Sequence, residues 1–419
     1  MKRADNLRNL IIIHLESLNN IIYRMNREKF PTLRRLEQKS LSFNKFFSTA
    51  TSTLMVIGDL LYGGAEQYEQ CNSLDYIPKE YVYKSSLFDE LKEEGYKTNI
   101  YIYPDGGDRE SAEKRHIAGF HNSMVLIKDY KQYLEALNES MDEEQPFALM
   151  TCNYISNLAL NNYAPGAKCD SGSDKWEKGY SYMDKCVEDI WNLLEKKKLL
   201  ENTTIIFYGD HGDDYWQHSF HGGLTHAIEP YAALVHTPFW IYDSRMKSGE
   251  INDLVSTIDI KNIISHLLET EEKDINLQKV NIFKRKYALS RSAYAAQPVR
   301  EDTFNKAYSY TDGKYFMLVS SKGLELYDIE MDPGCQNNFL DFFVLQDNKL
   351  IFNSEIQKKL GFHSSSFMNE KEKRIIRQKF YFFRSSLKQE VKNLYDIGGN
   401  TENISQMNFE KINYIHLHI

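Results

Sequence analysis

The 419-residue chain has few cysteines, and none of them is spaced for metal binding or redox chemistry. The five are Cys71, Cys152, Cys169, Cys186 and Cys335, and no two form a CxxC motif. This spacing argues against a zinc knuckle and against a thioredoxin-like motif. Because the cysteines are sparse and odd in number, we expect reduced thiols.

An excess of positive charge and long apolar runs are also missing. The net charge of −8 argues against general nucleic-acid binding, which requires a basic surface. The first apolar segment is about seven residues long, and no run reaches the roughly 18 residues of a membrane span. We therefore expect no signal peptide, no transmembrane segment and a soluble, cytoplasmic protein. Peripheral membrane attachment, or excision from a longer membrane protein, stays open.

The patterns that are present predict an α/β fold. The runs Asn9–Leu15 and Pro146–Cys152 are continuously apolar, as expected for central parallel strands covered on both faces. Ser86–Gly95 has helical spacing and leads through a glycine into the strand-like Tyr96–Tyr103. Such helix–glycine–strand steps are typical of a parallel sheet flanked by helices.

Further elements fit the same architecture. We predict a helix from Phe30 with proline in its first turn, a long helix over Tyr180–Leu200, and a strand over Tyr231–Tyr242 interrupted by proline. From about residue 290 the pattern changes to a hairpin around Asp312-Gly313 and a further strand. We predict a catalytic domain over 1–290 and a small antiparallel C-terminal subdomain with helices over 291–419.

Asp210 and His211 follow the β-branched and aromatic run Thr203–Phe207, which we predict to be a buried strand. Gly209 and Gly212 beside them allow the backbone to turn sharply. A carboxylate and an imidazole at the end of a strand can reach one metal ion. This pair suits Zn²⁺ or Mn²⁺ better than Mg²⁺ or Ca²⁺. An ordinary polar turn is the alternative.

Glu16 and a cluster of hydroxyl residues are the next candidates. Glu16 directly follows the first apolar strand, at the edge where open α/β sheets place their active sites. Thr49, Thr51, Ser52 and Thr53 precede an apolar helix that stops at glycine. A hydroxyl there faces the positive end of the helix dipole, which stabilises an alkoxide and a bound phosphate. Plain N-capping would explain only one of these four residues.

Histidines follow the Asp-His pair at short intervals. His218, His221, His226 and His236 lie close behind it, and at least one is expected in an active site. For His218 and His236 we favour an ordinary structural role. The spacing alone does not choose among the others.

Four motifs occur in an order that resembles one superfamily. They are the strand Asn9–Glu16, the helix Thr53–Gly63, the pair Asp210-His211, and Glu325–Pro333 with the sequence ELYDIEMDP. The chain resembles the alkaline-phosphatase-like group that contains sulfatases, lipoteichoic acid synthases and lipid A phosphoethanolamine transferases. The resemblance implies a mostly parallel central sheet flanked by helices, and a divalent metal held by Glu16, Thr53, Asp210 and His211.

Departures from the sulfatases favour phosphate esters over sulfate esters. Sulfatases convert a Cys or Ser to formylglycine, whereas neither Thr51 nor Thr53 can undergo that change. Glu16-Ser17 resembles the Glu-Ser of lipoteichoic acid synthase-type phosphoglycerol transferases, which use a Thr nucleophile. Histidines that those enzymes carry after two strands are absent near Asp105 and Leu158. Their absence implies altered substrate recognition or weakened activity.

The resemblance therefore implies phosphodiester cleavage, or transfer of a head group such as phosphoglycerol or phosphoethanolamine. Thr53 is the expected nucleophile, with Thr51 as the alternative. His226 is expected to contact the substrate oxyanion or to protonate the leaving group, and His221 is the competing choice or a ligand of a second metal ion. His221, Arg109 and Asp105 are also candidate substrate-binding residues. The substrate is expected to be a phosphorylated or sulfated small molecule, lipid or glycan. A sulfuric ester hydrolase and an inactive binding protein are the alternative functions.

Overall fold

An eight-stranded sheet forms the centre of the larger part of the molecule. The computed structural model describes residues 7–63, 85–103, 124–141, 145–154, 172–214, 229–280, 283–292, 307–359, 368–398 and 407–414. The sheet strands are β1 Asn9–His14, β2 Leu41–Phe47, β3 Lys97–Tyr103, β4 Met124–Leu126, β5 Phe147–Asn153, β6 Thr203–Tyr208, β7 Phe239–Tyr242 and β8 Gly249–Ser256. Their spatial order is β4-β3-β5-β1-β6-β7-β2-β8, and all run parallel except β7. This arrangement confirms the predicted α/β class.

Strand β1 is buried on both faces because its side chains alternate between two hydrophobic cores. Leu10 and Ile12 belong to one core, and Ile11 and Ile13 belong to the other. The strand pairs with β5 on one side and with β6 on the other. Its carboxyl end therefore lies at the middle of the sheet edge.

Helices cover both faces of this sheet. They are α1 Asn20–Met25, α2 Pro31–Lys39, α3 Thr53–Tyr62, α4 Leu87–Glu93, α5 Tyr130–Ser140, α6 Gly172–Lys196, α7 Ala232–Val235 and α8 Ile260–Glu269. Helices α3, α4 and α8 contribute to the core behind Leu10 and Ile12. Helices α2, α5 and α6 contribute to the core behind Ile11 and Ile13. Among the described residues, no helix is long and apolar enough to cross a membrane.

Two predicted elements have different bounds in the structure. Helix α6 begins at Gly172 and ends at Lys196, so the prediction of Tyr180–Leu200 was wrong at both ends. The run Tyr231–Tyr242 is not one interrupted strand, because residues 232–235 form the short helix α7 and only residues 239–242 form β7. Pro238 has no N–H to donate to a ladder, so the strand begins after it.

A second, antiparallel sheet follows. Its strands are β9 Ala288–Arg291, β10 Tyr308–Thr311, β11 Tyr315–Ser320 and β12 Gly323–Asp328, in the spatial order β12-β11-β10-β9. A hairpin of β13 Phe343–Gln346 and β14 Lys349–Phe352 comes next, followed by α9 Ser354–Lys359 and α10 Glu370–Gly398. The hairpin predicted around Asp312-Gly313 is present, with Gly313 at φ 85°. The domain division at residue 290 stays a prediction.

Candidate active site

The carboxyl ends of β1 and β6 bring the first candidate residues together. The two strands pair in parallel with His14 opposite Tyr208, so the residues that follow each strand emerge side by side. Glu16 and Asp210 both lie two residues beyond their strands and are buried. Ser17 adopts φ 55°, and its backbone N–H donates to Oδ1 of Asp210 over 3.1 Å. The turn after β1 is therefore fastened to the turn after β6.

His14 completes a compact group with these two carboxylates, although the sequence analysis did not single it out. Its Nε2 lies 3.1 Å from Oε2 of Glu16 and 3.2 Å from Oδ2 of Asp210. Ligand atoms of the three residues all lie within 4.8 Å of one another. The signal in the sequence was weak, because His14 lies within the apolar run that precedes Glu16.

Three polar atoms of this group meet no hydrogen-bond geometry. Within the described part of the chain, both ring nitrogens of His14 and Oδ2 of Asp210 are buried without a hydrogen-bond partner. Buried polar atoms without partners are rare, because leaving them unsatisfied costs free energy. Nitrogen and oxygen atoms that converge without hydrogen-bond angles are the arrangement that a metal ion satisfies.

Thr53 and His211 close the group on its other side. Oγ1 of Thr53 lies 3.3 and 3.4 Å from the carboxylate oxygens of Glu16 and 3.1 Å from Nε2 of His211. Nε2 of His211 also lies 3.2 Å from Oδ2 of Asp210. Nδ1 of His211 lies 3.1 Å from the carbonyl oxygen of Gly212, so a proton on Nδ1 leaves the Nε2 lone pair facing the group.

The two buried carboxylates favour positive charge beside them. Burial disfavours a charged imidazole, but the carboxylates of Asp210 and Glu16 raise the pKa of His14 to about 10. Burial likewise disfavours a charged carboxylate, but the neighbouring His211 and His14 lower the pKa of Asp210. Two imidazoles, two carboxylates and a hydroxyl fit Zn²⁺ or Mn²⁺ better than Ca²⁺, which prefers an all-oxygen shell.

The short helix α7 connects the two loops that carry these side chains. The carbonyl oxygen of Leu234 accepts from the backbone N–H of Gly212 over 2.8 Å, just after His211. The next carbonyl, of Val235, accepts from the N–H of Ser48 over 2.7 Å, in the loop that leads into helix α3. Helix α7 is therefore a spacer between the Asp-His loop and the loop that leads to Thr53.

The remaining candidates divide into two groups. Thr51 is buried and lies in the described loop before α3. His236 is buried, stacks on Phe47 with ring centroids 4.8 Å apart and contacts the carbonyl oxygen of Asn44, which fits the structural role expected for it. The other predicted site residues lie outside the described residues: Asp105, Arg109, His218, His221 and His226.

Several known proteins resemble the chain. Lipoteichoic acid synthase 2 of Bacillus subtilis is 24% identical over 359 residues, which are 77% of this chain and 54% of that protein. The lipoteichoic acid synthase of Staphylococcus aureus strain USA300 is 24% identical over 76% of this chain and 53% of its own length. The chain thus spans about half the length of these relatives.

Solved structures share the fold at low sequence identity. A 2-O GAG sulfatase superposes with a TM-score of 0.59 at 15% identity, covering 85% of this chain and 90% of its own. A protein in complex with its substrate, D-glucosamine-2-N,6-O-disulfate, gives 0.58 at 12% identity, with 96% and 100% covered. The sulfatase family model matches residues 8–153 and 175–270, more than half of the chain. The chain therefore belongs to the sulfatase family, within the alkaline phosphatase/sulfatase superfamily.

Proposed function

We propose that this protein is a metal-dependent hydrolase or transferase that acts on phosphate esters, with Thr53 as its nucleophile. The observation that carries the proposal is the position of Thr53, whose hydroxyl faces Glu16 and His211 at the first residue of α3. A threonine cannot become the formylglycine on which sulfatases depend. A threonine alkoxide can attack phosphorus directly and form a phosphothreonine.

The residues that would hold the metal are His14, Glu16, Asp210, His211 and the Thr53 hydroxyl. A bound Zn²⁺ or Mn²⁺ ion would lower the pKa of that hydroxyl and neutralise charge on the phosphoryl oxygens. The carboxylate of Glu16, within 3.4 Å, is placed to accept the hydroxyl proton. The backbone N–H groups at the start of α3 add positive potential where the phosphoryl group would bind.

The chemical step is an in-line displacement at phosphorus. The bond from Oγ1 of Thr53 to phosphorus forms as the bond to the leaving oxygen breaks, and that oxygen departs with the electron pair. We assign the proton for the leaving oxygen to His226, with His221 as the competing donor. Water or an acceptor hydroxyl then attacks the phosphothreonine and releases Thr53. Water gives hydrolysis, and an acceptor hydroxyl gives transfer.

The substrate class rests on the relatives and on the threonine. Proteins named lipoteichoic acid synthases match most of this chain, which supports phosphoglycerol or a related head group such as phosphoethanolamine as the transferred unit. A surface polysaccharide or glycolipid is the acceptor that this chemistry suggests. Asp105, Arg109 and His221 remain the proposed substrate contacts.

A direct comparison of two chromogenic esters tests the proposal. We expect hydrolysis of a bis-aryl phosphate in the presence of Mn²⁺ or Zn²⁺, loss of that activity after chelation, and recovery when the ion is returned. Hydrolysis of an aryl sulfate in preference to the phosphodiester would contradict it. That outcome would support the alternative of a sulfuric ester hydrolase, which the sulfated ligand of one structural neighbour favours.

Metal analysis of the purified protein separates an enzyme from a non-catalytic family member. We expect about one divalent ion per chain after incubation with Mn²⁺ or Zn²⁺, because the buried ligand group is already assembled. A protein that binds no divalent ion after supplementation would support the remaining alternative, which is an inactive sulfatase-like protein that binds an anionic glycan.

A further inference from the structure

Arg291 contacts the nucleophile helix from outside the region that the family model matches. It is the last residue of β9, in the antiparallel sheet. Its Nη2 lies 3.3 Å from Oδ1 and 3.2 Å from Oδ2 of Asp59, and both side chains are buried, at 5% and 0% exposure. Asp59 lies on α3, on the same helix as Thr53. The ion pair therefore joins the second sheet to the helix that carries the nucleophile.

The backbone of the same residue holds the loop that leads into α3. The N–H of Arg291 donates to the carbonyl oxygen of Thr49 over 2.9 Å, and its own carbonyl oxygen accepts from the N–H of Thr51 over 3.2 Å. The neighbouring Ser290 donates its hydroxyl to the carbonyl oxygen of Ser48 over 2.5 Å. Strand β9 is therefore hydrogen-bonded to three residues of the loop that leads to Thr53, which are Ser48, Thr49 and Thr51.

The start of α3 depends on these contacts because it is not held by a side-chain cap. Ser52 occupies the N-cap position with φ −145°, but its side chain makes no capping hydrogen bond. A helix without such a cap is free to shift at its first turn unless tertiary contacts fix it. Here the fixing contacts come from β9 on one side and from Val235 of α7 on the other.

We infer that Arg291 is a positioning residue for Thr53, joining the approach loop and the nucleophile helix to the antiparallel sheet. The inference rests on the proposed function, because it assigns Thr53 to the metal and to the substrate. Loss of the guanidinium would remove the positive charge that Arg291 places beside the buried carboxylate of Asp59, and α3 would shift as its surroundings adjust to that loss. A shift of about 1 Å at a nucleophile is enough to lower a rate about 100-fold.

A double-mutant cycle on metal affinity tests this inference without requiring turnover. The Mn²⁺ dissociation constant is measured by titration for the wild type, Thr53→Ala, Arg291→Met and the double variant. If Arg291 acts through Thr53, Arg291→Met weakens binding about 10-fold or more in the wild-type background and has little further effect in Thr53→Ala. An equal loss in both backgrounds, or no loss in either, overturns the inference.

Arg245→Met is the matched control, since Arg245 forms a partly buried ion pair with Asp243 at the opposite end of the sheet. It should lower the melting temperature and leave both Mn²⁺ affinity and kcat unchanged. For bis-aryl phosphate hydrolysis, Arg291→Met should lower kcat with KM within about twofold. If Arg291→Met does not fold, Arg291→Lys retains the charge, and the same pattern with a smaller loss is expected.

The same measurements distinguish a failure of the proposed function from a failure of the inference about Arg291. A wild-type protein that binds Mn²⁺ but does not hydrolyse the phosphodiester contradicts the proposed function and leaves the affinity cycle intact. A wild-type protein that hydrolyses the phosphodiester, with additive losses in the cycle, contradicts the role of Arg291 alone. A wild-type protein that binds no Mn²⁺ overturns both.

Discussion

Oγ1 of Thr53 lies 3.1 Å from Nε2 of His211, although 158 residues separate the two in the chain. The contact places a helix N-terminus against the loop that follows β6. Two carbonyl groups of α7 accept hydrogen bonds from the loops that carry these residues. These backbone hydrogen bonds therefore help to hold Thr53 beside His211, and they do not depend on the side chains of α7.

Thr53→Ala should abolish turnover while leaving the fold intact. The change removes the hydroxyl oxygen that we propose forms the covalent bond, and loss of a nucleophile costs about three orders of magnitude or more in kcat. The measurements are phosphodiester hydrolysis and the melting temperature. Thr51→Ala is the control, and we expect it to retain activity. If Thr53→Ala kept full activity and Thr51→Ala lost it, Thr51 would be the nucleophile instead of Thr53.

His14→Leu should weaken metal binding by at least about 10-fold. His14 places Nε2 within 3.2 Å of both carboxylates, so its removal deletes a ligand and leaves the space apolar. In the wild type, Mn²⁺ at about 100 times its dissociation constant should add about 2.7 kcal/mol to the free energy of unfolding. The variant should gain clearly less at the same concentration. The gain in stability is measured by thermal melting with and without Mn²⁺. Equal gains in the wild type and the variant would show that His14 is not a metal ligand.

Gly212→Ala should lower both stability and metal affinity. A Cβ at this position would overlap the carbonyl oxygen of Ala233 in α7, so the Asp-His loop would have to move away from its spacer. Overpacking of this kind costs about 1–3 kcal/mol. Gly249→Ala is the matched control, because a Cβ there meets nothing within 4 Å. Equal effects of the two changes would show that α7 does not set the loop position.

Glu325 should make the protein less stable as the pH rises from about 4.5 to about 7. Burial raises the pKa of this carboxyl group to about 7, although Tyr327, Asn413 and Tyr231 donate hydrogen bonds to it. Between these pH values the folded state holds a proton that the unfolded state has released, so the free energy of unfolding falls with rising pH. The loss is on the order of 3 kcal/mol.

Urea unfolding of the wild type and of Glu325→Gln between about pH 5 and 8 measures this contribution. The glutamine does not titrate, so the stability of the variant should depend less on pH than that of the wild type. The difference in free energy of unfolding between the variant and the wild type should be largest above the pKa of Glu325. Parallel stability curves for the two proteins would show that the pKa of the Glu325 carboxyl group is the same in the folded and unfolded states.

Local patterns made Glu16 and Asp210 candidates, and the family resemblance supplied the predicted ligand set. Glu16 directly follows a continuous apolar run and Asp210 follows a second strand after Gly209, and the carboxyl ends of parallel strands share one sheet edge. The structure brings Glu16, Thr53, Asp210 and His211 together. Their roles as nucleophile and metal ligands stay predictions.

His14 and α7 could not be predicted in the same way. His14 occupies the last position of a buried strand, and its approach to Asp210 depends on β6 being the neighbour of β1, which is a non-local fact. The run that contains α7 has the composition of a strand, but residues 232–235 form a helix. The carbonyl groups of this helix accept hydrogen bonds from the backbone N–H groups of Gly212 and Ser48. Both features depend on partners that are distant in sequence.

The pairing of β1 with β6 also determines when the ligand group can exist. Ser17 and Asp210, which fasten the two turns, are 193 residues apart. His14 and Glu16 therefore leave the ribosome long before Asp210 and His211. Contacts between such distant segments form late, because their loop must close first. A divalent ion should therefore slow unfolding without speeding refolding. The ion would bind only after the sheet has assembled, and it would then stabilise the assembled sheet against unfolding.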